Sequence, residues 1–197
     1  MKRLMMRVIP IRDEIKHILI LTTHHVLLKE TPCWQQDFMK PRDLRLDTLE
    51  QTPAPKAGEV QIRIKTVGIC GSDLHTYHDG RIGDTVVSSP LILGHEFSGM
   101  VTTVGEGALD GEGHPLKEGQ LIAVDPAVPC WRCEVCEHGH PNLCPHHYFL
   151  GLYPRDGALR ESMNVVARGC FGLPEWMDGE VGALSSPWVS PSAIRPR

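Results

Sequence analysis

Cys130-Trp131-Arg132-Cys133-Glu134-Val135-Cys136, followed by Cys144, is the stretch on which the reading of this chain turns. Its spacing is C-x2-C-x2-C-x7-C. Four soft thiolates on one compact loop can close a tetrahedron around zinc, with sulfur at about 2.3 Å and no open position. Such a site is structural, because nothing else can reach the ion. An iron–sulfur cluster is the nearest rival, since Cys144-Pro145 echoes the end of a bacterial ferredoxin run. That run places three residues before its last cysteine, and here there are seven. Disulfides are a third reading, disfavoured in a reducing compartment. His138, His140, His146 and His147 crowd the same lobe and are expected to be solvated surface, because four thiolates already satisfy a metal.

Outward from the lobe, the composition is that of a globular chain. Its 197 residues are 41% hydrophobic and 22% charged, which argues against wholesale disorder. Twenty Lys and Arg against 24 Asp and Glu leave a net charge of −4, which is no electrostatic footprint for nucleic acid. The seven cysteines lie at positions 33, 70, 130, 133, 136, 144 and 170. The first apolar stretch is interrupted by Arg12, Asp13, Glu14 and Lys16, and the rest, Ile18 to Leu28, is too short to span a bilayer. No convincing cleavage site follows, so neither a signal peptide nor membrane attachment is expected. Clustered thiols without an export signal then imply a cytoplasmic protein and metal ligation. Residues 1–38 are read as an N-terminal extension of uncertain structure, and Cys33 within it is assigned no role.

Strand signals run through the middle of the chain. Glu59-Val60-Gln61-Ile62-Arg63-Ile64-Lys65 alternates, with Val60, Ile62 and Ile64 on one face, as in a half-buried strand. Further short strands fit 99–104, 120–124 and 161–166. Gly and Pro punctuate each of them (19 and 16 in the chain), so the expected fold is mainly β with short helices (α+β), a barrel or sandwich. Cys170 is read as a small buried hydrophobe in a turn.

A second constellation lies upstream: Val67-Gly68-Ile69-Cys70-Gly71-Ser72-Asp73-Leu74-His75, then Gly94-His95-Glu96-Phe97-Ser98-Gly99. One thiol, one imidazole and one carboxylate suffice for a three-ligand zinc site with a fourth position left open. On a regular strand His95 and Glu96 would point to opposite faces. Both can serve one metal only if Gly94 lets the backbone turn.

These blocks, with Tyr77-His78-Asp79-Gly80-Arg81-Ile82-Gly83-Asp84 and Asp156-Gly157-Ala158-Leu159-Arg160-Glu161, resemble the zinc-dependent medium-chain alcohol dehydrogenase superfamily, most of all its sorbitol (L-iditol) dehydrogenase branch. The resemblance covers about residues 39 to 184. It implies a GroES-like catalytic domain, an irregular β-barrel with a protruding zinc lobe over 126–149. By position Cys70, His95 and Glu96 match catalytic zinc ligands, and Cys130, Cys133, Cys136 and Cys144 match structural ones. Ser72 matches a hydroxyl that passes the substrate proton outward, and His75 sits where that relay continues. The implied activity is oxidation of a secondary alcohol or polyol to a ketone through a zinc-bound alkoxide, with two zinc ions and NAD(P) as cofactors. Asp73 is expected to orient a neighbouring ligand. Tyr77 and Arg81 either shape a polyol pocket or simply pack and face solvent.

The chain departs from that pattern in two places. No G-x-G-x-x-G follows a strand, so the Rossmann domain is read as absent; Gly105-Glu106-Gly107 is a loop. After Leu184 the family continues through Glu-Pro into an apolar helix, whereas Ser186 stands at that Glu and Pro187, Pro191 and Pro196 forbid a helix. Residues 185–197 are read as an aberrant, disordered tail left by a one-base deletion, on a chain unable to turn over alone. Its cofactor-facing side would be left apolar, so association between copies is expected. A non-catalytic zinc-binding module and, more distantly, an electron carrier are the rival readings.

Overall fold

The computed structural model describes residues 21–22, 33–49 and 51–189. The alternating run over 59–65 lies at the heart of the main sheet: Val60 and Ile62 are fully buried and Ile64 nearly so. In chain order the strands are β1 (Leu21–Thr22), β2 (Cys33–Lys40), β3 (Asp43–Leu49), β4 (Glu59–Gly68), β5 (Arg81–Ile82), β6 (Thr85–Val86), β7 (Leu91–Ile92), β8 (Glu96–Val104), β9 (Leu121–Val124), β10 (Ala127–Val128), β11 (Tyr148–Phe149), β12 (Ser162–Val166) and β13 (Cys170–Gly172). The helices are α1 (Gly71–Asp79), α2 (Glu134–Glu137) and α3 (Gly179–Val189).

β4 pairs antiparallel with β8, and β9 and β13 follow outward; β1 and β12 share the other edge of β4. Register shifts between Gln61 and Ile62 and between Ile64 and Thr66 interrupt the β4–β8 ladder. Extra residues of this kind bend and twist a strand, which lets a sheet curl around its core. A second sheet, β3-β2-β7, supplies Phe38, Leu91 and Ile92 to the same core that Val60, Ile62, Phe97 and Ile122 fill from the first. The ladder runs to Gly68 opposite Glu96. It thereby delivers the segment before Cys70 to the start of the segment bearing the imidazole and carboxylate.

Three expectations shift. The sheets begin before Met39: β2 starts at Cys33, Phe38 is fully buried, and the Gln36 amide donates to the Leu159 carbonyl at 2.8 Å. Residues 33–38 therefore belong to the folded body; the polar Gln35-Gln36-Asp37 hides the strand, which pairs locally with β3 and over long range with Ile92 and Arg160. Cys170 is buried as expected, but it opens strand β13 instead of lying in a turn. Lastly, α3 continues through Pro187 to Val189, so the tail does not begin at 185 and the proline does not forbid the helix. A proline removes the one bond its missing N–H would make to residue 183, while the preceding turns lie against β4, β8 and β9 with Ala183 buried. The expectations for 1–20, 23–32 and 190–197 fall outside the described residues. Among the described residues no helix is long and apolar enough to cross a membrane.

Candidate metal centres and substrate cleft

Cys70 is the N-cap of α1, with extended backbone angles (φ −75°, ψ 158°). The Asp73 carboxylate secures it: Oδ2 accepts from the Cys70 amide at 2.9 Å and Oδ1 from the Gly94 amide at 3.2 Å. One buried carboxylate thus ties together the two loops that carry Cys70 and His95. Gly94 turns the chain with φ +91°, and a Cβ there would meet the Val67 side chain at 2.8 Å. His95 consequently lies outside the ladder, while Glu96 is the first residue of β8. This is the backbone freedom the paired His-Glu requires.

The result is convergence. Ligand atoms of Cys70, His95 and Glu96 all lie within 4.8 Å of one another. His95 is buried, with Nδ1 3.5 Å from Asp73 Oδ1 and Nε2 3.2 Å from Ser72 Oγ. Nδ1 makes no hydrogen bond, so Asp73 sets its electrostatic surroundings without capping it. The His95 side chain draws the Cys70 thiol below its ordinary pKa against the opposing effect of burial. Burial works against charge on His95, yet Cys70, Asp73 and Glu96 together hold its pKa above the usual value. Burial raises the Asp73 pKa, with His95 and the two amides opposing. Gly68 completes the cradle: a Cβ at this position would stand 2.9 Å from Glu96 Oε2. A soft sulfur, a borderline nitrogen and a hard oxygen fit a three-ligand zinc site.

The His95 ring meets Phe149 edge-on at 5.5 Å, and Phe149 lines a cleft of about 290 Å³ together with Thr76, Ile82, Thr85, His147 and Tyr153. The Tyr153 hydroxyl is paired with Ser88 Oγ at 2.7 Å. Tyr77 and Arg81 do not line the cleft: Tyr77 packs edge-on against His78 and Arg81 is exposed. Successive helical residues are about 100° apart, so Thr76 faces the cleft while its neighbour turns away. His75 stands on α1 one turn beyond Ser72, 70% exposed, with Nδ1 3.8 Å from Asp79.

Cys130, Cys133, Cys136 and Cys144 also converge within 4.8 Å, all as free thiols. The Cys133 sulfur lies 3.5 Å from that of Cys136 and 3.8 Å from that of Cys144. A zinc–sulfur bond of about 2.3 Å gives a tetrahedron edge of about 3.8 Å, so the cluster fits structural zinc. The amides of Cys130 and His146 point at the Cys144 sulfur, each at 3.4 Å. The Arg132 amide pulls Cys130 down to about 6, whereas burial among the other sulfurs pushes Cys136 up to about 12. His138, His140, His146 and His147 are all exposed, as expected, although His147 also borders the cleft.

Residues 56–175 match the family model of the alcohol dehydrogenase GroES-like domain. The chain belongs to that family. It is 41% identical over 147 residues to sorbitol dehydrogenase of Bacillus subtilis (strain 168), covering 75% of this chain and 40% of that one. The corresponding values for sorbitol dehydrogenase of Gallus gallus are 43% over 145 residues, 74% and 39%. Among solved structures it resembles the short chain alcohol dehydrogenase (rspB) from E. coli CFT073 complexed with cofactor NADH, with a TM-score of 0.67 and 33% identity over 81% of this chain and 43% of that one. The chain spans about two fifths of the length of the curated relatives it matches. The GroES-like architecture and the mainly-β fold class accordingly stand, with the four-cysteine lobe on it. Sequence reading did not find the part played by Phe149, Thr76 and Tyr153. Phe149 sits in a two-residue strand, Tyr153 in a turn and Thr76 on α1, and only the packing of β11 beside His95 reveals the cleft.

Proposed function

We propose that this domain binds a small secondary alcohol, foremost a polyol, and takes part in its NAD(P)-dependent oxidation to a ketone. The observation that carries the reading is the convergence of Cys70, His95 and Glu96 on one point beside a cleft that shares Phe149 with the His95 ring. These three residues would hold zinc there, and the four-cysteine lobe a second, structural ion. When bound, a catalytic zinc supplies Lewis-acid polarisation of an alcohol oxygen. The chain's own groups do the rest. Phe149 and Ile82 exclude water from one side of the cleft, and the hydroxyls of Thr76 and Thr85 offer hydrogen bonds to further hydroxyls of a polyol. Ser72 Oγ, beside His95 Nε2, can accept the substrate hydroxyl proton while donating its own. His75, exposed one turn further along α1, is placed to pass that proton to solvent. Asp73 keeps both ligand loops in register. Four separate thiols agree with a reducing, cytoplasmic setting. The net charge of −4 agrees with a small-molecule partner and no nucleic acid.

Cobalt substitution tests the reading, because its visible spectrum reports ligands and open positions. Adding sorbitol or xylitol to the cobalt-loaded chain is expected to shift the visible bands, and Cys70→Ser or Glu96→Gln to abolish that shift while the lobe's thiolate absorption persists. If no polyol or simple secondary alcohol perturbs the spectrum, the substrate assignment fails and a zinc-binding module without catalysis takes its place.

A further inference from the structure

The loop between β8 and β9 holds a third group of metal-ligating side chains, separate from both sites above. Asp110, Glu112 and His114 stand at alternate positions, and their ligand atoms lie within 4.8 Å of one another. The loop is shaped independently of any ligand. Leu109 and Pro115 form an antiparallel bridge across its ends, and the Asp110 amide donates to the His114 carbonyl at 2.8 Å. Gly113 reverses the chain at φ +88°, and Gly111 is packed so closely on Phe171 that a Cβ would lie 2.6 Å from the ring.

Asp110 is buried, and its Oδ1 accepts from the amides of Glu112 at 2.9 Å and His114 at 2.8 Å. That orientation leaves Oδ2 facing His114 Nδ1 at 3.7 Å, with Glu112 Oε2 at 3.6 Å from the same nitrogen. A direct N–H···O hydrogen bond would close to about 2.7–3.2 Å. Two oxygens and a nitrogen bound to one tetrahedral ion at about 2.2 Å would instead be separated by about 3.6 Å. The observed distances are longer than a hydrogen bond and fit the second arrangement as well as they fit a loose ion pair. The Glu112 and His114 side chains are 68% and 70% exposed, so an ion has a path in and water can complete its coordination.

We propose that Asp110, Glu112 and His114 form a third metal site, for a divalent first-row ion of the zinc, nickel or cobalt kind. An imidazole beside two carboxylates suits these ions, whereas calcium and magnesium prefer oxygen alone. Nothing in this proposal depends on the substrate reading above.

The experiment uses the full chain, free of any affinity tag, first loaded with two equivalents of zinc, enough for the two cysteine-bearing sites and no more. Nickel is then titrated calorimetrically into the wild type, His114→Ala and Glu112→Gln, both substitutions being at exposed positions. One further ion is expected to bind the wild type without thiolate charge-transfer absorption. Each variant should bind that ion about tenfold more weakly or worse, and nickel should raise the melting temperature of the wild type but not of His114→Ala. Identical isotherms for wild type and His114→Ala, or nickel binding that always carries thiolate absorption, would overturn the proposal.

Discussion

Gly68 shows how a single residue governs the candidate centre. It faces Glu96 across the β4–β8 ladder, and a Cβ would lie 2.9 Å from the carboxylate oxygen Oε2. Its backbone does not need positive φ, so the demand is for space alone. In Gly68→Ala the methyl group must displace the Glu96 side chain, since the Gly68 backbone is fixed in the ladder. The expected outcome is a loss of one zinc ion per chain on dialysis against a mild chelator, with the four-cysteine site still filled. Metal analysis of wild type and variant side by side reads this directly, and equal zinc contents would show that Glu96 can move without consequence. Asp73 illustrates the complementary case, in which one carboxylate joins two loops through backbone amides. The sequence suggests its orienting role, because a carboxylate among metal ligands fixes them in place. Its bond to Gly94 belongs to the fold, because 21 residues separate the two.

At the scale of elements, the barrel and the cysteine lobe rest on different physics. β4 and β8 bury Val60, Ile62, Ile64, Phe97 and Val101 in one core. Between the short β10–β11 pair at its base, the lobe has α2, a 3-10 turn at Pro141–Leu143 and, among its cysteines, Cys144 alone buried. A segment with so little apolar burial leans on its metal, and structural zinc contributes about 10–16 kcal/mol in small domains at neutral pH. Stripping zinc with a strong chelator should therefore speed amide exchange over 130–147 while the amides of β4 and β8 stay protected. Uniform loss of protection across both regions would mean that the lobe and barrel unfold together. Contacts between them include the Arg168 guanidinium stacked on the Trp131 ring at 4.6 Å and Phe149 against the His95 ring. α3 makes a related point from the other direction. Its composition, with Pro187 inside it, reads as a helix stop, yet the helix persists over surfaces of β8 and β9 that local propensity cannot register.

For the whole molecule, metal binding and folding are linked. An ion that binds the native chain and not the unfolded one stabilises it by about 2.7 kcal/mol at a hundredfold excess over its dissociation constant. Urea unfolding of the zinc-loaded chain should thus have a higher midpoint than that of the stripped chain. The midpoint should fall in two steps as chelator strength rises, with the three-ligand centre emptied before the closed four-thiolate one. A single step would indicate that the two centres have similar affinity. The exposed Trp176, Val181 and Leu184 lie together along the segment that leads into and through α3, so the molecule carries apolar surface at that end.

Much of this was legible in the chain itself. Four cysteines within fifteen residues specify a tetrahedral thiolate site almost regardless of the fold, because the ligands are local and their chemistry is demanding. The alternation at Val60, Ile62 and Ile64 likewise names a buried strand face, because side-chain direction in a strand has a period of two. Other features depended on distant parts of the chain. Cys70 and His95 are brought together by the β4–β8 register and by Asp73; Phe149 reaches His95 only because β11 folds back beside it. The place of residues 33–38 in the sheets and the persistence of α3 past Pro187 were decided the same way. Local sequence sets which groups are available and which way a strand faces; the tertiary structure sets which distant groups meet, because that is determined by packing between segments that carry no record of one another.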